Sequence, residues 1–297
     1  MKLQIAKGVK DTPPDEKIVK NEVVDNLRRV FELYGFMPLE TPVIERYDTL
    51  TAKFAAGEDS DAKNEIFKLN DQGKRDLGLR FDLTVPLARF VAMNPSLKLP
   101  FKRYAVGPVF RDGPIKLGRT REFWQMDVDT VGTKSMLADA EMVALASTFF
   151  KQLGLDVVIR INNRKLLNGI LEQSGIDKKE EAIISIDKLS KVGKAGVSDE
   201  LKGKGYSKGQ INKVFGILSE NTLNKLGKVV KNELGKEGLL ELRDLLNYLK
   251  SMKVKTVKFD PSLARGLAYY TGTVFEVFVK KGEVTSSIAA GGRYDDM

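Results

Sequence analysis

Apolar residues at Ile18, Val19, Val23, Leu27, Val30, Phe31 and Tyr34 recur at intervals close to those of one helical face. Pro14 precedes this stripe and Gly35 follows it, residue types that commonly open and close helices. The spacing predicts a helix over 15–34. Beyond Phe36 the period changes, Pro38 and Pro42 interrupt the chain, and short runs of strand type follow at 66–69 and 77–83 around an Asp71-Gln72-Gly73 turn. Two longer runs, 103–111 and 122–131, flank a loop that begins Asp112-Gly113-Pro114 and reaches Gly118, which predicts an antiparallel pair. A helix over 135–154 and a strand over 156–161 follow.

From 176 to 258 the β alternation is lost. Ser207-Lys208-Gly209-Gln210 has the form of a capping box, and Leu239, Leu242, Leu245, Leu246 and Leu249 fall on one helical face. The same stretch holds 18 Lys+Arg and 11 Asp+Glu, so 18 − 11 = +7 of the chain's formal charge of +9 lies there. Strand character returns at Val257 and over 273–279, followed by the run Ala289-Ala290-Gly291-Gly292-Arg293-Tyr294. The simplest organisation is a core over 1–175, a basic helical insertion over 176–258, and the core continued over 259–297.

Composition narrows the chemistry. The 297 residues are 42% hydrophobic and 30% charged, ordinary values for a folded chain rather than a disordered one. Neither Cys nor His occurs. That excludes a disulfide framework, a thiol nucleophile, a zinc finger, a Ser-His-Asp triad and a His-ligated metal, so any chemistry must use Asp, Glu, Arg, Lys, Tyr and bound ions. No run of about 18 apolar residues occurs, and no apolar run follows the first basic residues, so a soluble cytoplasmic protein without a membrane partner is expected.

Period-two reading places Leu79, Phe81, Leu83 and Val85 on one face of a strand and Arg80, Asp82 and Thr84 on the other. In the same way Trp124, Met126 and Val128 oppose Gln125, Asp127 and Asp129, and Arg111 shares its face with Ala105 and Gly107, small enough to leave room for a ligand. Each polar face alone could simply meet water. Three such faces carrying Asp, Gln, Thr and Arg rather than Lys/Glu mixtures point to a pocket. Asp127 and Asp129 as a metal pair is a minor reading, since no calcium-loop pattern surrounds them. Neither G-x-x-x-x-G-K-[ST] nor G-x-G-x-x-G occurs, so a nucleotide would have to be gripped by arginines, with Arg111, Arg119, Arg121 and Arg265 as candidates.

The segment from Phe110-Arg111-Asp112-Gly113-Pro114 through Arg119-Thr120-Arg121-Glu122-Phe123-Trp124-Gln125 resembles the second signature motif of class II aminoacyl-tRNA synthetases in its histidyl form. Leu79-Arg80-Phe81-Asp82-Leu83-Thr84-Val85-Pro86 and Leu263-Ala264-Arg265-Gly266-Leu267-Ala268-Tyr269-Tyr270-Thr271-Gly272 resemble two segments peculiar to histidyl-tRNA synthetases, in archaeal and eukaryotic style. Tyr34-Gly35-Phe36 with Thr41-Pro42-Val43-Ile44-Glu45 is similar to the first class II motif. The resemblance covers almost the whole chain.

It implies an α+β fold, an antiparallel six-stranded sheet flanked by helices, with a helical insertion near the tRNA acceptor stem. It implies ATP and Mg²⁺ as cofactors, histidine and tRNA(His) as partners, and a homodimer formed through the first motif. Arg111 and Arg265 would act on the ATP α-phosphate, Arg265 also on the histidine carboxylate, with Asp112, Arg119 and Arg121 on the ATP side. Asp82, Thr84 and Gln125 would hold the α-amino end of histidine, Asp129 and Tyr270 the imidazole, and Tyr269 and Tyr294 would line that pocket. Two departures from the family stand out: Gly113 occupies the position where many members carry an adenine-contacting glutamate, and the chain stops before the third motif. This looks like a catalytic-domain fragment with weak or absent activity of its own. Two rival readings are a non-catalytic paralogue that binds histidine and regulates ATP phosphoribosyltransferase, and a plain basic RNA-binding module.

Overall fold

The computed structural model describes residues 3–52, 61–115, 119–266 and 269–296. The chain divides into two compact units, Met1–Thr133 and Lys134–Met297.

The first unit opens with helix α1 (Pro14–Leu33). Its inner face buries Val24, Leu27, Val30 and Phe31, with the Phe31 ring 5.3 Å from that of Tyr104. Ile18 and Val19, expected on the same inner stripe, are exposed because the buried face begins only at Val24, in the third turn. After α1 come β1 (Met37–Pro38), β2 (Ile44–Arg46) and the helices α2 (Tyr47–Thr51) and α3 (Asp61–Asn64). Strands β3 (Lys68–Asn70) and β4 (Asp76–Leu79) form the expected hairpin, and β2 pairs with the other edge of β4.

The strand expected over 77–83 ends at Leu79, and helix α4 (Thr84–Met93) starts five residues later. The cause is local. One Asp82 oxygen accepts hydrogen bonds from the Thr84 and Val85 amides at 3.1 and 2.9 Å, and Pro86 falls in the first helical turn, where a missing N–H costs no bond. The alternation expected for 79–85 is therefore absent. Arg80, expected on a polar face with Asp82 and Thr84, is buried instead and donates to the Pro108 and Thr41 carbonyls at 2.8 Å each.

Strands β5 (Phe101–Phe110) and β6 (Glu122–Val131) form the expected antiparallel pair over ten residues each, with β1 parallel to the outer edge of β5. Arg103 faces Asp129, Ala105 faces Asp127 and Gly107 faces Gln125. Directly opposed residues share a sheet face, so these six stand together.

The second unit begins with α5 (Met136–Gln152), capped by the Ser135 hydroxyl, and β7 (Val157–Asn163). Six helices follow: α6 (Arg164–Gln173), α7 (Lys179–Asp187), α8 (Leu189–Gly203), α9 (Lys208–Leu218), α10 (Leu223–Val229) and α11 (Glu233–Ser251). Ser207 and Gln210 form the reciprocal capping box at the start of α9. Leu239, Leu242, Leu245 and Leu249 are the buried stripe of α11. The last strands are β8 (Val257–Phe259), β9 (Thr273–Val279) and β10 (Ala289–Gly292), in the order β10-β9-β7-β8. Antiparallel ladders dominate this sheet, and only the short edge pair β7–β8 is parallel. Residues 176–258, read from the sequence as an insertion, carry α7 to α11 and group with the rest of the second unit.

Candidate active site

In the first unit Gln125, Asp127 and Asp129 share one face of the β5–β6 ladder, Arg111 stacks on Phe123 at the end of that face, and the turn carrying Asp82 lies over it. Arg111 follows the end of β5, where its amide donates to the Arg121 carbonyl at 2.8 Å. Its guanidinium carbon stands 4.2 Å from the Phe81 ring centroid and 5.0 Å from that of Phe123, and Nε donates to the Phe81 carbonyl at 3.3 Å. Two ring contacts, each worth about 0.5–2 kcal/mol, orient this cation.

Gln125 Oε1 is buried and accepts no hydrogen bond. A buried acceptor without a donor is costly to leave so, and suits a site that receives an N–H from a ligand. Asp129 is paired with Arg103, whose Nη2 lies 2.6 Å from Oδ2. The minor reading of Asp127 and Asp129 as a metal pair finds no support in this arrangement. Asp127 stands between Asp129 and Gln125 on the same face. Burial first, then the Asp129 and Asp82 carboxylates, push its carboxyl up to about 7, against the pull of Arg103 and Arg111.

The room expected above Gly107 is taken: a Cβ there would collide with the Arg80 guanidinium. Gly107 accommodates this buried arginine, which holds the Asp82 turn to the sheet, rather than a ligand. Arg121 and Asp112 form an ion pair of 3.0 Å, and the Arg121 amide donates to the Gly8 carbonyl at 2.7 Å. Arg119 is exposed at the margin of the loop, and Lys116, Leu117 and Gly118 lie outside the described residues.

In the second unit the structure brings Arg265, Tyr269, Tyr270 and Tyr294 together. The Tyr269 ring centroid is 4.7 Å from that of Tyr270 and 6.2 Å from that of Tyr294, with the latter pair edge to face. A Cβ on Gly292 would stand 2.7 Å from the Tyr270 ring, so glycine is needed for that ring to lie on β10. The Arg265 guanidinium is 5.6 Å from the Tyr270 ring and 3.0 Å from Glu276 Oε1. Burial raises the Glu276 and Asp187 carboxyls, and Arg265 opposes the rise in both. Leu267 and Ala268, within the segment that carries Arg265, lie outside the described residues.

The pattern of histidyl-tRNA synthetases matches residues 8–297. The histidine–tRNA ligase 1 of Bacillus cereus is 45% identical over 303 residues, which cover all of this chain and 69% of that protein. The chain belongs to the histidyl-tRNA synthetase family. The histidine–tRNA ligase of Helicobacter pylori is 39% identical, covering 99% of this chain and 69% of its own length. Among solved structures, a histidyl-tRNA synthetase from Nostoc sp. PCC 7120 superposes with a TM-score of 0.88 at 34% identity, covering all of this chain and 70% of the other. A Bacillus halodurans protein described as an ATP phosphoribosyltransferase regulatory subunit/histidyl-tRNA synthetase gives 0.85 at 27% identity, covering all of this chain and 77% of the other. The class II α+β fold expected from the motifs is thus the fold of these relatives.

Sequence reasoning gave no role to Arg103, Asp187 or Glu276, and placed Asp127 on the polar face of its strand with a metal pair as the minor reading. A signal for Arg103 was present, because it has the same strand parity as Arg111 and lies eight residues before it. The acids around Arg265 come from α7 and β9, far apart in sequence, and no spacing rule reaches them.

Proposed function

We infer that this chain is the catalytic domain of a histidine–tRNA ligase, which activates histidine with ATP to histidyl-adenylate and transfers the histidyl group to tRNA(His). The observation that carries the site assignment is the gathering of Arg111, Gln125 and Asp129 beneath the Asp82 turn, in a chain whose ligase relatives match it throughout. The regulator reading is not favoured, since the relative described partly in those terms is 27% identical against 45% for a ligase.

The chemistry fits a site without His or Cys. A substrate carboxylate is already ionised at neutral pH, so an oxygen of histidine can attack the α-phosphorus without a protein base. The new P–O bond forms as the bond to pyrophosphate breaks, and that electron pair leaves with pyrophosphate. Transfer follows when a tRNA hydroxyl attacks the activated carbonyl carbon and AMP departs. Arg111 and Arg265 would stabilise charge on the phosphorus centre, Asp112, Arg119 and Arg121 would serve the ATP side, and orientation supplies most of the rest. Asp82, Thr84 and Gln125 would receive the α-ammonium group. Asp129 and Tyr270 would hydrogen-bond the imidazole nitrogens in a pocket lined by Tyr269 and Tyr294, polar groups that an apolar side chain would leave unpaired. Mg²⁺ would enter with the phosphates of ATP. Among the described residues no three acidic groups could hold a metal ion by themselves.

Three further elements of the reading are proposals of the same kind. The first motif would form a homodimer, supported by the exposure of Leu33, Met37 and Ile44. The basic helices within 176–258 would engage tRNA. The place of work would be the cytoplasm; no helix among the described residues is long and apolar enough to cross a membrane.

Calorimetry with histidine, histidinol and leucine tests the central assignment. Histidine should bind, histidinol should bind more weakly because it lacks the carboxylate that Arg265 would meet, and leucine should not compete. Equal affinity for histidine and leucine would sink the reading.

A further inference from the structure

Arg103 is 1% exposed, among the most deeply buried side chains of the chain, and it belongs to none of the roles above. It faces Asp129 directly across the β5–β6 ladder, and its Nη2 makes two contacts. One is the Asp129 carboxylate at 2.6 Å, and the other is the Leu83 carbonyl at 3.1 Å. Leu83 is the residue between Asp82 and Thr84. A single guanidinium therefore joins the strand that carries Asp129 to the turn that carries Asp82.

Stability alone gives no reason for a cation here. Removing both charges from water costs several kcal/mol, roughly what their attraction returns, and well-packed apolar residues often serve a core as well or better. Two of the Arg103 donors, Nε and Nη1, are buried without a hydrogen-bond partner, which makes the position more expensive still. A costly buried cation that touches two recognition elements is better explained by what it orients.

We propose that Arg103 is a positioning residue for amino-acid recognition, fixing both the carboxylate that would read the imidazole and the turn that would receive the α-ammonium group. This rests on the site assignment proposed above. Arg103 also bears on the proton of the neighbouring acid. The charged groups around Asp127 are Asp129 on β6, Asp82 in the turn, Arg103 on β5 and Arg111 beyond its end; the acids favour the proton on Asp127 and the arginines oppose it. Loss of Arg103 leaves Arg111 as the single cation of this set and moves the Asp127 titration upward from about 7.

The test is calorimetry on the parent chain, Arg103→Met and Arg103→Lys, titrated separately with histidine and with ATP over a range of pH. Arg103→Met should weaken histidine roughly tenfold to a hundredfold, the scale on which outer partners of a liganding side chain act. ATP affinity should stay within about twofold of the parent. Arg103→Lys keeps the charge and should recover part of the histidine affinity. The inflection of histidine affinity with pH should lie higher in Arg103→Met than in the parent, a comparison in which the titration of the substrate's own imidazole cancels. Histidine affinity unchanged in folded Arg103→Met overturns the proposal, and so does a parallel loss of histidine and ATP binding with no recovery by lysine, which would mark a purely structural residue. If Arg103→Met does not fold, Arg103→Lys decides: weaker histidine with unchanged ATP supports the proposal, and parental affinity for both overturns it. A parent chain that binds no histidine overturns the site assignment and this proposal with it.

Discussion

Asp127 shows how one side chain's surroundings divide chemistry among similar residues. Three acids, Asp82, Asp127 and Asp129, lie close to one another, and each is held differently. Asp82 uses one oxygen as a helix cap, Asp129 is paired with Arg103, and burial pushes the Asp127 carboxyl up to about 7. The effect on stability has a definite sign. Its carboxyl is raised from 3.8 to about 7 in the folded chain, so folding favours the protonated form. The contribution is fully present below about pH 4, where folded and unfolded chains both carry the proton, and is lost as pH rises toward about 7. A rise of this size corresponds to at most about 4 kcal/mol. Asp127→Asn removes the titration without changing the side chain's size. Its melting temperature relative to the parent should therefore rise by several degrees between pH 5 and pH 8. An offset that is the same at both pH values would remove Asp127 as the titrating group.

At the scale of elements, close helix packing is written in glycines. A Cβ on Gly169 of α6 would stand 2.5 Å from the Gly235 backbone of α11, and one on Gly238 would collide with the Leu166 backbone. Gly216 of α9, by contrast, has nothing within 4 Å of the corresponding point. The same substitution should then act in opposite directions. Gly169→Ala should destabilise by about 1–3 kcal/mol because two backbones must separate. Gly216→Ala should stabilise by about 0.5–1 kcal/mol through helix propensity and reduced freedom of the unfolded chain. Denaturant midpoints that move the same way for both would contradict this account of the α6–α11 crossing. Much at this scale was legible in the sequence. The β5–β6 pair, the Ser207 capping box and the leucine stripe of α11 follow from local pattern, because adjacent residues determine period and cap. The switch from β4 to α4 was missed because alternation persists through 79–85 while Asp82 and Pro86 favour a helix start, and the capping hydrogen bonds prevail. The Arg103–Asp129 pair depends on register across a loop, which no local window contains.

For the molecule as a whole, the uneven distribution of charge bears on tRNA. Residues 176–258 carry +7 of the chain's +9, by 18 − 11. Basic helices are common on protein surfaces, so charge alone does not assign a partner. Deleting the stretch would be a poor test, because α11 supplies buried Leu239, Leu242, Leu245 and Leu249 to the second unit, and its loss would expose that core. Exposed lysines offer a cleaner experiment. Lys191, Lys194, Lys208 and Lys228 all face solvent, and replacing them with glutamine leaves the buried stripe untouched. If these helices meet the phosphate backbone, the variant should bind tRNA(His) more weakly and with a shallower dependence on salt, the slope falling by about one for each phosphate that is no longer neutralised. Histidine binding should be unchanged, because the substitutions lie outside the residues assigned to it. Parental and substituted proteins with equal salt slopes would exclude these lysines from the tRNA interface and leave their charge as a property of the solvated surface.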